Sequence, residues 1–126
     1  MTKPQAPTPL SDAALTETWP EFCEAVLDSL EASLLPAWGE MRSRCYERLL
    51  RGKVEYGDGS FSLPIAAQID EIRQEYLDVV GWSFIAYCST GDAALRTLAH
   101  EAVRGYAQTV KVQQYFDSLP KSVRPF

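Results

Sequence analysis

Histidine is nearly absent from this chain: His100 is the only one in 126 residues. A nucleophilic triad therefore has a single candidate base, and no G-x-S-x-G accompanies it. Beside Glu101 and Arg104 in a helical pattern, His100 reads as ordinary surface or packing. Cysteine is almost as scarce. Cys23, Cys45 and Cys88 are odd in number, far apart and form no C-x-x-C, which argues against a disulfide framework and a structural zinc site. Reduced, mostly buried thiols in a cytoplasmic protein are expected.

Positive charge is thin as well. Lys and Arg number 12 against 17 Asp and Glu, a net charge of −5, with no basic run. That excludes duplex nucleic acid and anionic membranes as partners held by charge, while leaving room for a small anion held by a few basic residues or a metal. Long apolar runs are missing too. Residues 79–88 are strongly apolar but amount to about half a membrane span, and residues 1–9 carry Lys3 without an apolar core, so no signal peptide is expected. No P-loop is present, because Gly52-Lys53 is followed by Val54. Period-2 alternation is confined to residues 53–56, and no internal repeat is visible.

What remains is helical patterning. With 46% hydrophobic residues the chain suffices for one domain with a core and is short for two. Residues 1–10, with Pro4, Pro7 and Pro9, read as a flexible leader, and residues 11–126 as a single helical domain. Thr18 followed by Trp19 and Pro20 marks a helix start. Trp19, Cys23, Val26, Leu27, Leu30 and Leu34 then form an apolar stripe opposite Glu21, Glu24, Asp28 and Glu31, giving a first helix near 18–34. Pro36 opens a second, with Trp38, Met41, Cys45 and Leu49 as its core stripe and Gly52 as its cap. Residues 52–64, rich in glycine, form an unusually long loop, a kind that is often functional. A third helix spans about 64–89 and should be buried on most faces beyond Leu77; after the Gly91-Asp92 turn a fourth spans about 93–116. The expected fold is all-α, an antiparallel four-helix bundle with a Gly-rich loop between helices 2 and 3.

The most informative segment lies in the third helix. At 100° per residue, Glu71, Glu75 and Asp78 share an arc of about 60°, which Trp82 and Ile85 continue. Asp70 lies off this arc, and Arg73 points about 160° away from Glu75, a poor neutralising partner. Three stacked carboxylates leading into an apolar surface call for a counter-charge, and a divalent cation is the natural one. The alternative is a solvated acidic helix face. A second constellation is Arg48, Lys53 and Tyr56, which offers cationic groups to a phosphate and a ring to a base. Alternatively, Tyr56 and Phe61 pin the loop and Lys53 is solvated.

Glu75-x-x-Asp78 resembles the E-x-x-D half of the metal signature of MazG-type all-α nucleoside triphosphate pyrophosphohydrolases. The wider pattern Arg48-x-x-Arg51-Gly52-x-x-x-Tyr56-Gly57-Asp58, a proline-containing loop, then Glu71-x-x-x-Glu75-x-x-Asp78-Val79-x-x-Trp82 resembles short phage-type members. The resemblance covers roughly residues 44–88. It implies Mg²⁺, with Mn²⁺ as a substitute, held by Glu47, Glu71, Glu75 and Asp78, with Glu71 and Glu75 the catalytic carboxylates. Phosphate would meet Arg48 and Lys53, and the base Tyr56 or Trp82. It further implies cleavage of a (deoxy)nucleoside triphosphate to monophosphate and pyrophosphate, and a homo-oligomer, dimer or tetramer. One departure stands out: where the family carries E-E-x-x-E, this chain has Ser43-Arg44-Cys45-Tyr46-Glu47, so only Glu47 matches. The alternative function is a non-catalytic MazG-like module binding a nucleotide or a protein partner.

Overall fold

The structure is a computed structural model that describes residues 11–123. The leader assigned to residues 1–10 lies outside them. The described residues are all-α and contain no strand. They group into two compact units, the first ending at Ser62 and the second beginning at Leu63. Among them no helix is long and apolar enough to cross a membrane.

In the first unit α1 (Ser11–Ala13), a π-helical turn (Ala14–Thr18) and α2 (Trp19–Ser29) run on without a break. The helix thus starts well before the expected Thr18 cap: Thr18 is helical, at φ −79° and ψ −37°, and its side chain caps nothing. The π turn is the place where the ladder changes register just ahead of Pro20, which has no N–H to give and whose ring crowds the carbonyl one turn back. Trp19 accordingly donates its N–H to the Ala14 carbonyl, five residues back. At the far end the expected helix to residue 34 stops at Ser29, where Leu30 turns extended (φ −82°, ψ 141°). A 3-10 turn, Ala32–Leu34, leads into α3 (Leu35–Tyr56), with Pro36 in its first turn as expected.

Helix α3 corrects the sequence expectation at Gly52. This glycine lies in the helix interior, and the cap is Gly57, at φ 62° and ψ −129°. Helical continuation is held from outside: Lys53 makes an ion pair with Asp12, and Asp58, just past the cap, accepts hydrogen bonds from the Ser11 N–H (2.9 Å) and hydroxyl. These contacts tie the end of α3 to the first turn of α1 and satisfy one of its orphan donors. The loop expected over 52–64 shrinks to residues 57–64, part of it the 3-10 turn Ser60–Ser62. The inner face of α3 is also rotated from its apolar stripe. Trp38, Tyr46, Leu49 and Lys53 are half-buried, whereas Met41 and Cys45 are exposed. Cys23 is the buried thiol; Cys45 and Cys88 are exposed, against expectation.

The second unit is a hairpin of α4 (Ile65–Thr90) and α5 (Ala93–Ser118). Gly91 ends α4 in the left-handed region, φ 65°, and Asp92 opens α5 by accepting the Ala94 N–H at 2.9 Å, a combination that closes a tight reversal. Ile69 and Ser83 of α4 and Ala102 and Thr109 of α5 are buried. Close approach occurs where Tyr76 lies over Gly105, whose missing side chain leaves room for the ring: a Cβ there would sit 2.2 Å from Tyr76 Cε1. Arg73 crosses the pair and donates to the Thr109 hydroxyl at 3.2 Å, while that hydroxyl donates to the Tyr106 carbonyl at 2.6 Å. Much of the opposite side of α4 is exposed. Its back half, expected to be buried on most faces, exposes Val79, Val80, Phe84 and Ile85, and Trp82 at 71%.

Candidate functional site

Because α4 is one uninterrupted helix, Glu71, Glu75, Asp78 and Trp82 do share a face, and all four are exposed. Helical phase turns that face away from Ile69, Arg73, Tyr76 and Ser83, the side packed toward α5. Asp70, off the arc, is engaged separately by the Gln74 amide at 2.9 Å. Neither nearby guanidinium neutralises the trio: Arg73 is bound to Thr109, and Arg96 lies over the Tyr87 ring, 5.9 Å from its centre. The result is an acidic half-helix followed directly by an exposed apolar half-helix. Among the described residues, no three His, Cys, Asp or Glu side chains converge closely enough to hold a metal ion. The face is a row of carboxylates along one helix, and a cation there would need donors from elsewhere to complete its shell.

The remaining candidates belong to α3. Glu47 and Arg48 are exposed, and Tyr56 is exposed near its end. Lys53 is engaged by Asp12, so its ammonium is already partnered. Two groups in this region titrate away from their ordinary values. The Ser11 hydroxyl, the Ser11 N–H and then the Lys53 charge hold the Asp58 carboxyl below the usual carboxylate range. A hydrogen bond and the charge of neighbouring Glu55 push the Tyr56 phenol up. Asp58 and Lys53 thus act as struts of the first unit.

The first unit also carries a cleft of about 450 Å³ that sequence reasoning missed. One wall comes from the π turn and the start of α2, through Leu15, Thr16, Trp19 and Pro20; the other comes from α3, through Arg42, Ser43 and Tyr46. Trp19 and Tyr46 face each other with ring centres 6.1 Å apart and planes tilted by 31°. The available signal was Pro20 inside a helical pattern, which demands a local change of register; the cleft itself depends on which residues that change brings together. No family model, curated protein or solved structure matches the chain.

Proposed function

We propose that this chain is a MazG-like, Mg²⁺-dependent nucleotide pyrophosphohydrolase that converts a (deoxy)nucleoside triphosphate to its monophosphate and pyrophosphate. One observation carries the reading: Glu71, Glu75 and Asp78 lie in a row on an exposed face of α4 with no cationic partner among the described residues. A divalent cation bound there would neutralise triphosphate charge and acidify a coordinated water. Since no three such groups converge among the described residues, the reading requires further donors, from substrate phosphates or from a second copy. The exposed apolar half of α4 next to the acidic row supports self-association. Arg48 is the better phosphate ligand of the two basic candidates, because Lys53 is held by Asp12, and Tyr56 and Trp82 remain the aromatic candidates for the base.

Titration with Mg²⁺ and Mn²⁺, followed by calorimetry and thermal denaturation, tests the site. Wild type should bind and melt at higher temperature with metal. Glu75→Gln should lose both responses while being as stable as wild type, or more so, without metal, since it relieves repulsion between stacked carboxylates. Absence of any metal response in wild type removes the enzyme reading. The second reading, a non-catalytic module binding a nucleotide or protein partner, is favoured by Ser43 and Arg44 standing where the resembling family carries paired glutamates. Metal binding without pyrophosphate release from any nucleotide would select it.

A further inference from the structure

We propose that the cleft between the π turn and α3 binds a small anion carrying an aromatic ring, at a site separate from the acidic face of α4. Charge argues first. In a chain of net charge −5, among the described residues no Asp or Glu lines this cleft and one guanidinium does. Among the described residues Arg42 makes no ion pair, whereas Arg44, two positions on, is bound by Glu40 at 3.1 Å. Arg42 is therefore a cation left available, and a guanidinium recognises carboxylate and phosphate oxygens through paired N–H donors.

The polar walls narrow the ligand further. The Thr16 hydroxyl donates to the Asp12 carbonyl at 2.9 Å and the Ser43 hydroxyl to the Gly39 carbonyl at 3.4 Å. Their protons are committed to their own helices, so neither hydroxyl serves as a donor in the cleft. Donors for an anion come from Arg42 and the Tyr46 hydroxyl. Trp19 and Tyr46, tilted rather than stacked on each other, offer ring surface to a flat apolar body, and rings prefer such offset or tilted contacts. The volume, about 450 Å³, lies in the range of small-molecule sites. A π-helical turn in the wall is the kind of local irregularity that accompanies binding sites.

The test is a nitrogen–proton NMR titration of the full chain with phenyl phosphate, benzoate, inorganic phosphate and phenol. Phenyl phosphate or benzoate should move the Trp19 indole N–H and the Ser43 and Tyr46 amides along a saturable curve, and the tighter of the two identifies the preferred anion. Phosphate alone and phenol alone should bind at least about tenfold more weakly, because each lacks one half of the recognition. Arg42→Gln should weaken the aromatic anion about tenfold, or about 1.4 kcal/mol, and Arg44→Gln should leave it unchanged. Both arginines are exposed, and the helical circular-dichroism signal verifies that each variant folds. Shifts at Trp19 that fail to saturate, equal weakening by the two arginine variants, or saturable shifts at Trp82 alone would each overturn the proposal.

Discussion

Gly52 and Gly57 have opposite consequences for the end of α3. Gly52 is interior, and a Cβ added there meets nothing within 4 Å. Gly52→Ala should raise stability by up to about 1 kcal/mol in chemical denaturation, the usual gain on replacing a helical glycine. Gly57, at φ 62° and ψ −129°, adopts a backbone that side chains tolerate poorly, and Gly57→Ala should lower stability by about 1–3 kcal/mol. Were α3 to end at Gly52, as its neighbours in sequence suggest, the order would reverse. The sequence marks both glycines as punctuation but not which of them is used. What decides is the Lys53–Asp12 pair and the Ser11–Asp58 hydrogen bonds, contacts between residues far apart along the chain. Asp58 also makes a pH prediction. Its carboxyl titrates below the ordinary range because Ser11 and Lys53 favour the charged form. The contact is therefore at full strength above the unfolded value, about 3.9, and is lost as pH falls through the lower native value. Acid should destabilise wild type more steeply than Asp58→Asn below pH of about 4, measured by thermal melts across that range.

Among the elements, the α4–α5 hairpin was the most legible. The expected ranges 64–89 and 93–116 lie within two residues of Ile65–Thr90 and Ala93–Ser118 at every end, because Pro64, Gly91 and Asp92 state the boundaries in local chemistry. The first unit was harder to read. Its π turn has no periodicity of its own, and the inner face of α3 includes Lys53 and Tyr46 where apolar pattern alone points to Met41 and Cys45. Within the hairpin one close approach depends on a single residue. Gly105→Ala would place a Cβ 2.2 Å from Tyr76 Cε1 and 2.3 Å from Cζ. Overpacking costs about 1–3 kcal/mol and outweighs the helix gain of up to about 1 kcal/mol. The melting temperature should therefore fall, whereas a simple propensity argument has it rise.

At the scale of the whole molecule, the exposed apolar residues of α4 are the outstanding structural fact. Val79, Trp82 and Ile85 follow the acidic row on a helix whose other side already packs on α5. Solvated apolar surface of this extent favours association. The chain should sediment as a dimer or tetramer at micromolar concentration, and Ile85→Glu should shift it to monomer while retaining helical content. A wild type that stays monomeric would remove the second copy as a source of ligands. The acidic row itself was readable from sequence, because a continuous helix turns i, i+4 and i+7 into a face. Whether anything opposes that row depends on packing beyond the helix that carries it.

On the proposed reading, the acidic face of α4 serves nucleotide hydrolysis. The most direct measurement is product analysis, monophosphate and pyrophosphate together, for a panel of standard and base-modified nucleoside triphosphates with Mg²⁺, using wild type and Glu75→Gln. The account predicts equal amounts of the two products from at least one nucleotide, metal-dependent and lost in Glu75→Gln. Absence of pyrophosphate across the panel, or the same release from Glu75→Gln, would contradict it.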